Sequence, residues 1–449
     1  MYDLIIIGSG PGGYVAAAKA GKAGLKTLVI EREELGGICL NKGCIPTKAL
    51  LASTQRLQEI RDAKEHGIVI DGEISVDWPA MQKRKDKVVS RLNKGIEALF
   101  KQSKVEWKQG EAEVLSPTEI KVGSETFKTK KLILATGAKQ HHPDIKGLSE
   151  LYEKKQALTA TEMLLVDDIP EKLVILGDDV FAMEYGSMFS ALGSEVTILG
   201  PHSRLLPTMD AELSEFMKRE LKKQKLNLIH QAEVISIKDG TVHYKVENEE
   251  HEISFTKLLV SYGNEPNLTG LHKLNLKLTQ DGFIQVDEFM KTSVKGVYAI
   301  GDVIGKYPLA HVASAEGLVA LDDILGHPRA MRYDRLPLAV YAVPEVASVG
   351  LTEAQAKEKF GEVKVSKYQL SANGKALAEG DSKGFVKILS IKPYDEVVGV
   401  HIAGNKATDL IAEGVLALSL EATLPDLAMA IHAHPTPSEI LMEAAASSL

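Results

Sequence analysis

The sequence predicts an α/β protein built from two nucleotide-binding βαβ units, the second inserted in the first, with an α+β domain at the C-terminal end. Three observations carry that prediction. Residues 4–31 run apolar strand, glycine-rich turn, alanine-rich helix, second apolar strand and terminal acid. The same layout returns at 172–200, with Gly177, Gly193 and Gly200 standing under Gly8, Gly24 and Glu31 at one offset of 169 residues. From Leu336 onward, short strand-like runs such as 343–350 and 384–388 alternate with turns, as an antiparallel sheet flanked by helices requires.

Leu4-Ile5-Ile6-Ile7 is a continuous apolar run, the pattern of a parallel strand buried on both faces. Gly8-Ser9-Gly10-Pro11-Gly12-Gly13 follows at once, Ala16, Ala17, Ala18 and Ala20 continue as helix, and Leu28-Val29-Ile30 ends at Glu31. Strand, glycines, helix, strand and acid in that order form a Rossmann-like fingerprint. Gly8 permits the tight turn, Gly10 lets a pyrophosphate reach the helix N-terminus, Gly13 allows close helix packing, and Glu31 takes a ribose hydroxyl. Residues 49–100 read as two amphipathic helices around a turn near Gly67 to Pro79. Lys131-Leu132-Ile133-Leu134 is a further buried strand closed by Ala135-Thr136-Gly137, and Gly110-Glu111-Ala112 opens the small strands before it. Lys257–Gly263 echoes that strand and closes the inserted unit. The adjacent His141-His142 lacks chelating spacing, so no metal site is expected.

At 449 residues the chain suggests about three domains. A formal charge of −8 disfavours nucleic acid and anionic membrane as partners. No apolar run approaches the roughly 20 residues that span a bilayer. Met1-Tyr2-Asp3 enters a strand with no basic leader, which together with a lone cysteine pair fits a cytoplasmic protein. A mitochondrial matrix protein stripped of its transit peptide would look the same.

The chemistry concentrates in Gly36–Lys48, which holds the only two cysteines, Cys39 and Cys44. A disulfide between them encloses too few residues to restrict the unfolded chain much, so stapling is not its purpose. If both lie on the first turns of one helix, their sulfurs can meet. The glycines at 36, 37 and 43 permit close backbone approach. A helix N-terminus and the Lys48 cation both favour thiolate. Near the other end, His432-Ala433-His434-Pro435-Thr436-Pro437-Ser438-Glu439 supplies a histidine with an acid five residues beyond it. A histidine oriented by a carboxylate is what deprotonation of a thiol needs.

These motifs resemble the pyridine nucleotide-disulfide oxidoreductases, most closely their dihydrolipoyl dehydrogenase branch, whose pattern GGxCxNxGCIPxK the Gly36–Lys48 segment follows nearly letter for letter. The resemblance implies bound FAD, with Cys44 as the flavin-facing thiolate, Cys39 as the exchanging thiol and Lys48 beside the flavin ring. It implies backbone contacts to the flavin nucleotide from Ala112, Thr136 and Gly137. Gly296–Asp302 resembles the second flavin motif, in which Asp302 bonds the ribityl chain and Ala310 contacts the isoalloxazine edge. Residues 432–439 resemble the HPTxSE signature, making His434 the acid-base and Glu439 its partner in the other subunit's site, hence a homodimer; His432 is left structural. The boundaries then fall at 1–142 plus 263–335 for a discontinuous FAD domain, 143–262 for the nicotinamide-type domain and 336–449 for the dimerisation domain. The implied partner is a lipoyl domain or lipoylated protein.

The inserted unit departs from the family. Asp179 stands where the second glycine belongs, Ala182 where the third does, and Gly200 where the ribose acid does. The family's glycine, two arginines and Pro-Asn read here Gly263-Asn264-Glu265-Pro266-Asn267. Glu184 still matches the nicotinamide-facing glutamate. A carboxylate at about 4 Å from a pyrophosphate costs roughly 4 kcal/mol at an effective dielectric near 20, less what rotation and solvent relieve. A lost charge-assisted hydrogen bond removes on the order of 1.5 to 3 kcal/mol. Half of the combined sum weakens binding by about a hundredfold, so NAD is expected to bind poorly. NADP is no better served, because no arginine replaces the acid. A non-nicotinamide acceptor, a small electron-transfer protein or a quinone, would then drain the flavin.

Other readings stay open on the sequence. One is an ordinary NAD-dependent dihydrolipoyl dehydrogenase. Another is a different disulfide reductase, with glutathione reductase the nearest although it carries tyrosine where Glu184 stands. A third is a flavin-containing interaction subunit of a lipoyl-enzyme assembly that no longer turns over; Cys39, Cys44, Lys48, His434 and Glu439 all argue against it.

Overall fold

The computed structural model covers residues 1–449 and divides into two compact units. The first comprises Met1–Ala49, Gln82–Pro143 and Tyr262–Met331. In it β1 (Tyr2–Ile7), α1 (Pro11–Lys22) and β2 (Thr27–Glu31) form the leading βαβ motif, followed by α2 (Gly37–Lys42) and the start of α3 (Cys44–Arg61). β1 lies between β2 and Glu125–Leu134, with Ile7 opposite Ile30 on one side and Leu134 on the other. Glu106–Gln109 extends this parallel sheet beyond β2, and Val297–Ala299 extends it beyond Glu125–Leu134. Leu4, Ile5 and Ile6 are fully buried, which is why the run carries no polar alternation. Ser314 on the helix Ala310–Ile324 donates to the Pro11 carbonyl, fixing that helix beside the start of α1.

The second unit comprises Leu50–Met81, Asp144–Ser261 and Arg332–Leu449. It contains β3 (Lys172–Leu176), α4 (Val180–Ala191) and β4 (Glu195–Leu199). β3 lies between β4 and Lys257–Val260, and Asn227–Ile229 and Ala157–Thr159 complete an all-parallel sheet. The order 227–229, 195–199, 172–176, 257–260, 157–159 matches 106–109, 27–31, 2–7, 125–134, 297–299 strand for strand. The sequence repeat is therefore a structural one. The C-terminal part is a five-stranded antiparallel sheet with Glu396–Ala403 at its centre. The helices Ala407–Ser419 and Glu439–Ala446 cover it, burying Ile411, Ile440 and Leu441 against Val400 and Ile388. The segment at 49–100 differs slightly from expectation. Its second helix begins at Trp78, with Pro79 in the first turn, where a missing N–H breaks no helical bond.

Within the second unit, Lys387 is buried and its Nζ meets Asp210 Oδ1 at 3.0 Å, Glu212 Oε1 at 3.0 Å and Glu353 Oε2 at 2.7 Å. The carboxylates hold the ammonium charged against a burial cost that works the other way. His401 beside them is kept neutral by burial, its pKa pushed down to about 4. Lys387→Met leaves Asp210 buried without its cation. A loss of about 3 to 5 kcal/mol is expected, read from urea unfolding of the full chain.

Candidate active site

The glycine turn after β1 is built for a ligand. Gly8 has φ +100°, and a Cβ there would lie 2.2 Å from the Ala135 carbonyl oxygen and 3.4 Å from the Thr136 nitrogen, so only glycine lets 135–137 pass this close. A Cβ on Gly10, by contrast, would meet nothing within 4 Å. Gly10 precedes α1 without any side-chain cap, which leaves the helix's first N–H groups without a capping side chain, the arrangement that suits a pyrophosphate. At the end of β2, Glu31 Oε2 accepts from Ser9 N at 2.8 Å and Ser9 Oγ at 2.7 Å, and Oε1 accepts from Glu33 N at 2.9 Å. Its carboxylate is thereby anchored beside the glycine turn.

The remaining predicted contacts gather in the same unit. Gly110 N donates to the Glu31 carbonyl, which brings Ala112 to the strand after that turn. Thr136 Oγ1 donates to the Asn267 carbonyl at 2.7 Å, and Asn267 N donates back to the Gly137 carbonyl at 3.0 Å. Ala310 opens its helix without a side-chain cap. Asp302 lies in the short helical turn Gly301–Ile304, and burial pushes its carboxyl up to about 6. These residues fit FAD.

The cysteines do not share one helix, as the sequence suggested they could. Cys39 lies in α2, Cys44 opens α3, and Gly43 breaks the two apart with φ −145° and ψ −109°. The break suits the chemistry better than one helix would, because it turns a second N-terminus toward the pair. Both are present as thiols. The Cys39 thiol donates to Cys44, which holds its pKa far above the ordinary range. Burial adds to that rise, while the Cys44 backbone N–H and the Lys48 cation oppose it. The segment is tied to the glycine turn by Gly36 N, which reaches Ser9 O and Ser9 Oγ, both at 3.1 Å. Asn93 and Asn41 clamp its other side, with Asn93 Nδ2 donating to Asn41 Oδ1 at 3.0 Å and to the Leu35 carbonyl.

In the other unit, His434 Nδ1 meets Glu439 Oε1 at 2.9 Å while Glu439 Oε2 accepts from Thr436 N at 2.8 Å. Those two bonds, the backbone one first, hold the Glu439 carboxyl below its ordinary pKa. Glu439 also sits in the first turn of its helix, where negative charge is favoured. The imidazole of His434 is 80% exposed, so Nε2 faces outward, available to a substrate. His432 is held differently: Nδ1 faces the Ala430 carbonyl and Nε2 faces Glu413, a pair of acceptors that only the imidazolium satisfies. Its pKa is raised accordingly, against the pull of burial.

The inserted nucleotide fold is where structure and sequence part. Asp179 is the N-cap of α4: Oδ1 accepts from Ala182 N at 2.9 Å, and Ser261 Oγ donates to both oxygens at 2.9 Å. A carboxylate thus occupies the helix end that Gly10 leaves open in the first fold. Burial lifts its pKa to about 6, so it is charged at neutral pH. A carboxylate at this helix end opposes the negative charge of a pyrophosphate. Gly200, however, is not the simple vacancy the sequence implied. A Cβ there would lie 2.7 Å from Asp178 Oδ2, because Asp178 fills the space. Glu184 is buried and accepts from Tyr341 N at 3.1 Å. Glu265 is engaged by His141 Nδ1 at 2.7 Å, so its charge is partly answered locally. Sequence reasoning missed Ser9, Asp178 and His202. The offset that aligned the glycines also puts Asp178 under Ser9 and His202 under Glu33, a signal available without coordinates.

No helix is long and apolar enough to cross a membrane. Residues 2–317 match the family described as pyridine nucleotide-disulphide oxidoreductase, and 336–445 match its dimerisation domain. A dihydrolipoyl dehydrogenase of Chlamydia muridarum is 39% identical, covering 99% of this chain and 96% of its own. The mitochondrial dihydrolipoyl dehydrogenase of Pisum sativum is 41% identical, covering 99% and 90%. Among solved structures, a Cu(II) complex of the HOCl-induced flavoprotein disulfide reductase RclA from Escherichia coli superposes with a TM-score of 0.88 at 25% identity, covering 99% of each chain. Family membership implies FAD, which the first unit's geometry fits. The chain belongs to the pyridine nucleotide-disulphide oxidoreductases and is a flavoprotein disulfide oxidoreductase of the dihydrolipoyl dehydrogenase type.

Proposed function

We propose that this enzyme oxidises protein-bound dihydrolipoamide as a homodimer, with weakened or lost use of NAD. The observation that supports the substrate reading is the dithiol itself, with Cys39 in α2 set against Cys44 at the start of α3. In the oxidised enzyme, a thiolate of dihydrolipoamide attacks Cys39, the Cys39–Cys44 bond breaks, and Cys44 leaves as thiolate. The second substrate thiol then displaces Cys39, closing the lipoamide disulfide. Two electrons pass to the cysteines, and His434 Nε2, oriented by Glu439, takes the proton from the attacking thiol. FAD, when bound, supplies the two-electron acceptor for the reduced pair. Gly8, Gly10, Gly13, Glu31, Ala112, Thr136, Gly137, Asp302 and Ala310 hold it, with Lys48 beside the ring. The partner is a lipoyl domain or lipoylated protein, and Glu184 stands at the family's nicotinamide-facing position.

The acceptor reading rests on Asp179 at the α4 N-terminus. With NAD disfavoured, a small electron-transfer protein or a quinone takes electrons from the flavin. Anaerobic mixing of oxidised protein with micromolar NADH should leave flavin absorbance nearly unchanged over seconds, whereas dihydrolipoamide on a lipoyl domain should bleach it. Rapid bleaching by NADH would remove the acceptor reading and leave an ordinary NAD-dependent enzyme. The pH dependence has a definite sign. Asp179 loses its charge as pH falls through about 6, so the NADH dissociation constant should be smaller at pH 5.5 than at pH 7.5.

A further inference from the structure

Resting on the reading that NAD use is weakened, we propose that Asp178 is the ribose-recognising acid of the inserted fold. Asp179 is then the residue that shuts out the dinucleotide. In the first fold the acid comes from the end of β2: Glu31 takes the N–H of Glu33, two residues on, and both donors of Ser9 in the glycine turn. In the second fold the partners have exchanged sides. Asp178, at the place of Ser9, sends its carboxylate toward the end of β4. There Oδ2 accepts from His202 N at 3.0 Å, the counterpart of the Glu33 N–H, and Oδ1 meets His202 Nδ1 at 2.9 Å.

The place of Glu31 is taken by Gly200, where a Cβ would stand 2.7 Å from Asp178 Oδ2, 2.8 Å from its Cβ and 3.2 Å from its Cγ. The two positions are therefore complementary in volume: an acid on the turn demands glycine at the strand end. His202 N and Nδ1 make three contacts to the Asp178 carboxylate, the ring nitrogen meeting both oxygens, and Glu31 likewise accepts three from Ser9 and Glu33, so each acid keeps about one of its roughly four lone-pair sites for a ribose hydroxyl. The side chain of His202 is 56% exposed, whereas that of Asp178 is 5% exposed. The ribose half of the site is thus rebuilt from the other wall, while the pyrophosphate half is capped by Asp179.

This arrangement changes which substitutions should restore binding. NADH is titrated by fluorescence into FAD-loaded protein, with 2′-deoxyadenosine NADH as the probe of the ribose contact. Asp179→Gly should tighten NADH by about thirtyfold, the scale set by the half-screened charge pair. Adding Asp178→Ala should then loosen it at least about tenfold and abolish discrimination against the deoxy analogue. A merely structural Asp178 would leave that discrimination intact. Adding Gly200→Glu to Asp179→Gly should weaken binding, because the glutamate collides with Asp178. Since that variant risks misfolding, Asp178→Ser/Asp179→Gly/Gly200→Glu, which copies the Ser9 and Glu31 arrangement, should recover affinity.

Two results overturn the assignment: unchanged deoxy discrimination after Asp178→Ala, or tighter NADH from Gly200→Glu with Asp178 still present. Tight NADH binding by the unmodified protein would instead overturn the NAD-loss reading. Asp178→Ala in the unmodified background would still decide the ribose role by the deoxy probe.

Discussion

A Cys44→Ser chain is expected to keep FAD bound and to lose all reduction of the flavin by dihydrolipoamide, the largest effect of any single substitution here. Cys44 opens α3, its backbone N–H bonds the sulfur of Cys39, and it receives the Cys39 thiol proton. It is therefore the sulfur proposed to carry the charge of the reduced pair, with the helix end and Lys48 to support it. A serine keeps the backbone bond and nearly the same volume, so flavin binding should survive, as read from absorbance after gel filtration. What disappears is the long-wavelength absorbance that a thiolate against the flavin gives on two-electron reduction. Cys39→Ser should keep that band, because its hydroxyl still donates to Cys44. If the band persists without Cys44, or flavin leaves with it, the assignment of the flavin-facing sulfur is wrong.

The second large effect is expected at His434. His434→Gln removes the proton acceptor while its side-chain amide can still reach Glu439 Oε1, and loss of a general base costs about 10²- to 10⁴-fold in rate. The quantity to follow is the single-turnover rate of flavin reduction by a dihydrolipoyl domain. A rate equal to the unsubstituted enzyme's would dismiss the role. Because the exposed imidazole is proposed to serve the partner subunit's dithiol, mixing His434→Gln chains with Cys39→Ser chains should restore activity. Hybrid dimers rebuild one complete site each, and homodimers of either variant rebuild none. Recovery absent from a verified hybrid would place each dyad with its own subunit's cysteines. Glu439→Gln should give a smaller loss, since it orients the ring without taking the proton.

Much of this protein is legible in one dimension, for a physical reason. A strand covered on both faces has no solvent side and so shows as an unbroken apolar run, as at 4–7 and 172–176. A turn against a neighbouring backbone has no room for a side chain and so shows as glycine, as at Gly8. A thiol pair, a histidine and an acid at fixed spacing declare their chemistry by element and charge. The constant offset then exposes the repeat, and with it the substitutions at 179 and 200. On these grounds the sequence by itself determined the α/β class and the two nucleotide folds, and singled out the cysteine pair.

What only the tertiary structure decided is which atoms occupy a given point in space. Residues 39 and 44 are compatible with one helix or two, and the backbone at Gly43 selects two because Gly36 and Asn93 hold Cys39's helix from outside it. Asp179 is an isolated misfit in sequence; in the fold it satisfies Ala182 N and Ser261, which lies 82 residues away. Gly200 looks like a lost acid until the neighbouring wall is seen to supply one through Asp178. Spacing along the chain sets the period of strands and helices. A carboxylate's place depends on how far its side chain reaches from whichever wall bears it, and two walls 22 residues apart can deliver the same charge to the same point.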